Sequence, residues 1–130
     1  MSKILIIEDN LCYAGGLSFL LADLGHESTV AVDGPEGLAE WERGGYDAVL
    51  VDQWMPMLDG ISTIREARSR GLQQGVILLT CLLPDEVDKR IDGLDVWAVI
   101  EKKNVETPMF REALQAAIEF TRMMYSGAVR

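Results

Sequence analysis

Two hydrophobic periods alternate along this chain, and that alternation constrains the fold more than any other feature. Short, nearly continuous apolar runs occupy residues 3–7, 27–32, 47–51, 75–80 and 96–101. Between them, residues 11–24, 35–43, 61–70, 84–91 and 107–125 carry apolar positions at helical spacing. The first, third and fourth runs have almost no polar interruption, as expected of strands buried on both faces in a parallel sheet. Boundary chemistry agrees: Asn10 is placed to N-cap the first helix and Gly25 to end it, while Pro35 and Pro84 stand where helical first turns begin. Tandem βα units with short connections need right-handed crossovers, which cover the sheet with helices on both sides. The expected fold is an α/β three-layer sandwich around a doubly wound, five-stranded parallel sheet.

At 130 residues the chain suits one domain, taken as residues 1–125, with residues 126–130 expected to fray as a tail. Hydrophobic residues make up 48% and charged residues 25% of it, a balance that excludes disorder. Lys plus Arg number 12 against 21 Asp plus Glu, a formal net charge of −9, which leaves no basic footprint for direct nucleic-acid binding. No apolar run approaches the roughly 20 residues needed to cross a bilayer. The start, Met1-Ser2-Lys3 followed by four aliphatics and Glu8-Asp9, is too soon acidic for a signal peptide. A cytoplasmic location is the expectation. Cys12 and Cys81 have neither metal-ligand nor disulfide spacing and are read as buried thiols acting as small hydrophobes. His26, beside Gly25, reads as a loop residue.

In a doubly wound sheet ligands bind beyond the carboxyl ends of the strands, so the residues that close each strand carry the chemistry. Here they are Glu8-Asp9 after the first strand, Asp52 at the third, Thr80 at the fourth and Glu101-Lys102-Lys103 at the fifth. Clustered carboxylates repel one another unless a cation lies among them, and all-oxygen ligation with an available phosphate favours Mg²⁺. With the cluster neutralised, one carboxylate can attack a phosphoryl group while Lys and Thr stabilise the transferred oxygens. That is aspartyl-phosphate chemistry.

These residues resemble the receiver domains of two-component response regulators, close in size to the single-domain chemotaxis regulators. The motifs are Ile4-Leu5-Ile6-Ile7-Glu8-Asp9-Asn10, Asp47-Ala48-Val49-Leu50-Val51-Asp52 with Met55-Pro56-Met57-Leu58-Asp59-Gly60, Val76-Ile77-Leu78-Leu79-Thr80, and Ala98-Val99-Ile100-Glu101-Lys102. The resemblance spans nearly the whole chain. It implies a flavodoxin-like (βα)5 fold with strand order 2-1-3-4-5. It also implies that Asp52 is the phosphoacceptor, Asp9 a direct Mg²⁺ ligand, Glu8 a partner holding the metal mainly through water, and the Trp54 backbone carbonyl a further ligand. Thr80 looks like the switch hydroxyl, and Lys102, rather than Lys103, like the lysine that pairs with the phosphoryl group. A sensor histidine kinase or phosphotransfer protein would be the donor, and a protein partner would read the output on the face of the fourth helix, fifth strand and fifth helix. No enzymatic activity is implied beyond the receiver's own Mg²⁺-dependent phosphorylation and dephosphorylation.

Departures from the family pattern carry their own expectations. Lys103 stands where the family usually has a proline in a cis peptide, so the loop after strand five is expected to be trans. Val99 replaces the common Tyr or Phe, which puts aromatic switching in doubt and leaves Trp97 as an aromatic for a partner. Cys81 adds bulk beside the phosphoryl pocket. Trp54 and Leu82, two residues beyond Asp52 and Thr80, are apolar and cannot orient a hydrolytic water, which implies slow self-dephosphorylation. Met55 and Met57 around Pro56 read as loop packing rather than a soft metal site. A haloacid-dehalogenase-type phosphatase would need a second Asp where Trp54 stands. The remaining alternative is a degenerate receiver-like interaction module that is never phosphorylated.

Overall fold

The apolar runs form five strands in the computed structural model, which describes residues 2–81 and 89–125. They are β1 (Lys3–Ile7), β2 (Glu27–Ala31), β3 (Ala48–Asp52), β4 (Val76–Thr80) and β5 (Ala98–Glu101). All pairings are parallel and the order is β2-β1-β3-β4-β5. Four α-helices are described: α1 (Leu11–Asp23), α2 (Gly34–Arg43), α3 (Gly60–Ser69) and α4 (Pro108–Tyr125). A 3₁₀ turn, Lys102–Asn104, follows β5.

Strand side chains alternate between two faces, and each face has its own core. Leu5, Ile7, Val49, Val51, Val76 and Leu78 point to one side, where Leu38 and Trp41 of α2 and Ile61 and Ile64 of α3 cover them. Ile4, Ile6, Leu50, Ile77 and Leu79 point to the other, under Leu17 and Leu21 of α1 and Phe110, Leu114 and Ile118 of α4. The three layers and the strand order are those expected.

Helix starts follow local capping chemistry. The Asn10, Asp33 and Asp59 side chains accept hydrogen bonds from Tyr13 N, Glu36 N and Ser62 N at the starts of α1, α2 and α3. Pro35 lies in the first turn of α2, and Gly25, at φ +91°, turns the chain out of α1 as the left-handed position after a helix requires.

Two expectations need correction and one lies partly out of view. Cys12 and Cys81 are both exposed, not buried. The core face of α1 is Ala14, Leu17 and Leu21, and Cys12 falls on the opposite, exposed side together with Phe19. The fourth helix was expected over residues 84–91; residues 82–88, with Pro84 and Leu82, lie outside the described residues, and residues 89–93 are turn rather than helix.

The segment leading into β5 is held by Arg68 of α3. Its guanidinium donates to the carbonyls of Leu94 (2.8 Å), Leu72 (2.9 Å), Gln74 (3.0 Å) and Asp95 (3.0 Å). Only a planar fork reaches so many acceptors at once. Arg68→Lys is expected to lower stability by roughly 2 kcal/mol, read as a shifted urea midpoint at unchanged slope. Among the described residues no helix is long and apolar enough to cross a membrane.

Candidate functional site

Parallel pairing brings the ends of β1, β3, β4 and β5 to one edge of the sheet. Asp52, the last residue of β3, pairs with Leu79, so Thr80 lies one step beyond it, level with Glu101 on β5. Glu8 and Asp9 follow β1, next to β3. The residues singled out in the sequence thus meet at one rim.

One oxygen from each of Glu8, Asp9 and Asp52 lies within 4.8 Å of the other two. Glu8 and Thr80 are fully buried and Asp52 nearly so, whereas Asp9 is exposed. Lys102 extends its ammonium into the cluster, with Nζ 2.7 Å from Glu8 Oε1 and 3.2 Å from Asp52 Oδ1. Lys103 points elsewhere, with Nζ 3.7 Å from Glu101 Oε2 on the surface. The Asn10 N–H donates to Glu8 Oε2 at 3.0 Å, and the Trp54 N–H to Asp52 Oδ1 at 3.4 Å, which lays the backbone of residue 54 against the Asp52 carboxylate. The Trp54 indole is exposed.

The electrostatics follow from this crowding. Burial pushes the Glu8 carboxyl up to about 7, and the neighbouring Asp52 carboxylate adds to the rise while Lys102 and the Asn10 N–H oppose it. Burial works against the Lys102 ammonium, but its bond to Glu8 and the charge of Asp52 outweigh that, and its pKa is raised. Three carboxylates against one ammonium leave the ionised cluster short of positive charge. An all-oxygen donor set with such a deficit fits a hard divalent cation of the Mg²⁺ kind, which keeps several of its waters.

Three neighbours complete the site. Gly60, the first residue of α3, presses against the back of Asp52, and its N–H donates to Gln53 O at 3.0 Å. Gln53 is buried, and its Oε1 accepts from Ile61 N at 2.9 Å, which ties the loop after Asp52 to the start of α3. Tyr13 of α1 reaches Lys102 from below: its hydroxyl donates to Lys102 O at 3.0 Å, and the Lys102 Nζ lies 4.6 Å from its ring centroid. Sequence reasoning missed Tyr13. The available signal was its place in the first turn of a helix that starts at the acidic rim. The Lys102–Lys103 bond is trans, as expected with no proline there.

The model of the response regulator receiver domain matches residues 4–115. The sensory transduction protein RegX3 of Mycolicibacterium smegmatis is 41% identical over 98 residues, 75% of this chain and 42% of that protein. The transcriptional regulatory protein DltR of Streptococcus agalactiae is 34% identical over 96 residues, 74% of this chain and 42% of that protein. The chain therefore spans less than half the length of these relatives. Among solved structures, the response regulator TrrA of Thermotoga maritima, in complex with Mg²⁺-BeF, superposes with a TM-score of 0.80 at 25% identity, covering 90% of this chain and 99% of that one. The receiver domain of a sensor histidine kinase from Pseudomonas aeruginosa, with magnesium coordinated in its active-site cleft, gives 0.78 at 28% identity, covering 91% and 98%. With five parallel strands in the order 2-1-3-4-5 and an acidic rim at their carboxyl ends, the chain belongs to the family of response regulator receiver domains.

Proposed function

We propose that this receiver accepts a phosphoryl group on Asp52 and signals the event to a protein partner by a change of conformation. The observation that supports this most is the convergence of Glu8, Asp9 and Asp52, with the Lys102 ammonium paired to Glu8 and Asp52. Glu8, Asp9, Asp52 and the Trp54 carbonyl are the residues that would hold Mg²⁺, which two similar solved receivers contain. The bound ion would supply charge neutralisation for an incoming phosphate.

Asp52 provides the nucleophile. One of its carboxylate oxygens forms a new P–O bond while the phosphorus bond to the donor breaks, and the electron pair leaves with the donor's nitrogen or oxygen. The donor is a phosphohistidine of a sensor kinase or phosphotransfer protein, or a small acyl phosphate. Lys102, already 3.2 Å from Asp52 Oδ1, pairs with the phosphoryl oxygens, and the Thr80 hydroxyl bonds to them. The output surface is the face to which β5 and α4 contribute; residues 84–88 of the expected surface lie outside the described residues. There Trp97 stands half-exposed with its ring against Phe120, centroids 5.1 Å apart.

Treatment with acetyl phosphate and Mg²⁺ is expected to add the mass of one phosphoryl group, and Asp52→Ala to abolish the gain. No adduct, or an adduct that survives Asp52→Ala, would remove the reading. The exposed Trp54 indole offers no hydrogen-bond acceptor to an attacking water. The phosphoryl group is therefore expected to persist for minutes or longer after donor removal, and loss within seconds would contradict the slow hydrolysis expected of this site.

A further inference from the structure

We infer that Tyr13 is a positioning residue for Lys102, fixing both the ammonium at the mouth of the acidic cluster and the backbone that carries it. The kinetic part of this inference rests on the phosphoryl reading of the site; the contact itself does not.

Tyr13 and Lys102 are 89 residues apart in sequence and touch in two places. The Tyr13 hydroxyl donates to the Lys102 carbonyl at 3.0 Å, and the Lys102 Nζ lies 4.6 Å from the Tyr13 ring centroid. One side chain thus grips both ends of one residue. The Lys102–Asn104 turn needs such a tie. It has no side-chain cap and no proline, and the bond that Thr107 Oγ1 donates to Asn104 O at 2.7 Å lies at its far end.

The ammonium needs it for a different reason. Lysine carries its charge on a flexible four-carbon stem, and holding it in one place costs rotamer entropy. Its other partners, Glu8 Oε1 at 2.7 Å and Asp52 Oδ1 at 3.2 Å, are the groups the reaction engages. An aromatic face attracts a cation through its quadrupole, carries no net charge and does not enter the reaction. The ring therefore keeps the ammonium in place while the carboxylates change partners. Tyr13 is itself fixed by the cap that starts α1, its N–H donating to Asn10 Oδ1 at 3.1 Å. Burial, and then the negative charges of Glu8 and Asp52, hold its phenol in the protonated, donating form.

The test uses Tyr13→Phe, which keeps the ring and loses the hydroxyl, and Tyr13→Leu, which loses both. In metal-free protein the Lys102 ε-methylene proton resonances should be shifted upfield by the ring current in wild type and Tyr13→Phe, and unshifted in Tyr13→Leu. With acetyl phosphate at saturating Mg²⁺, phosphorylation should fall about threefold in Tyr13→Phe and about tenfold in Tyr13→Leu. Mg²⁺ affinity, set by the three carboxylates, should change less than about twofold. In a Lys102→Ala background, Tyr13→Leu should cause no further loss. Unshifted Lys102 resonances in wild type, a wild-type rate for Tyr13→Leu, or the same tenfold loss without Lys102 would overturn the inference. A wild-type protein that takes no phosphoryl group at all would sink the proposed reaction instead, leaving the resonance comparison to decide on Tyr13.

Discussion

Lys102→Ala is expected to reduce phosphorylation of Asp52 by about a hundredfold, the scale of losing one preorganised charge at a transferred oxygen, and also to destabilise the metal-free protein in a pH-dependent way. The ammonium is the positive group in contact with Glu8 and Asp52. Removing it leaves two buried carboxylates facing each other, a loss on the order of 3–5 kcal/mol when both are ionised. The direction with pH follows from Glu8. Its folded pKa stands at about 7 against an ordinary value of 4.5, so between those values the folded state holds the extra proton. Stability therefore falls as pH rises through that window. Without Lys102 the Glu8 pKa climbs further. The variant's deficit should thus be small near pH 5, where Glu8 is protonated, and largest above pH 8. Saturating Mg²⁺ should recover most of it by returning positive charge to the cluster. Urea titrations at two pH values, with and without Mg²⁺, measure all of this; a deficit independent of pH would count against the charge account.

Gly60→Ala is expected to cost about 3 kcal/mol or more, although it adds a single methyl group. A Cβ at position 60 would drive into the Asp52 carbonyl oxygen and lie 2.9 Å from Gln53 Cα. Both are backbone atoms, so no side chain can swing aside. The strand end carrying Asp52 must move, or α3 must. The same change at Gly15 or Gly16, interior positions of α1 with nothing within 4 Å of the new methyl, should instead stabilise by up to about 1 kcal/mol through helix propensity. Thermal melts of the three variants compare them directly. Equal shifts at positions 60 and 15 would mean that the close approach behind Asp52 carries no weight.

These two variants mark the reach of the sequence pattern. The carboxylates and Lys102 were legible because strand ends in a parallel sheet share one rim, so position along the sequence translates into position in space. Strands β1, β3 and β4 were legible because burial on both faces removes polar residues from them, and Asp52 stands out as the charge that closes such a run. Cys12 was misjudged for the opposite reason. Residues 11–22 contain no charged residue, so helical periodicity had no polar face to mark, and nothing in the pattern said that Cys12, Leu11 and Phe19 would face solvent while Ala14, Leu17 and Leu21 would not. Tyr13 was passed over because its contact lies on a turn 89 residues away, which its place at the start of α1 hints at but does not specify. The tight seat of Gly60 depends in the same way on where α3 begins relative to the backbone of β3, which no local motif encodes.

The three tryptophans occupy three different environments, and this gives the protein separable optical reporters. Trp41 is sealed in the core, its Nε1–H bonded to Gln74 Oε1 at 2.7 Å, whereas the Trp54 indole is in solvent two residues from Asp52 and Trp97 is half-covered by Phe120. Unfolding should move the emission of the sealed indole to longer wavelength. An event at the acidic rim should change the intensity of the solvent-facing one with little spectral shift, so Trp54→Phe would silence the second signal and leave the first.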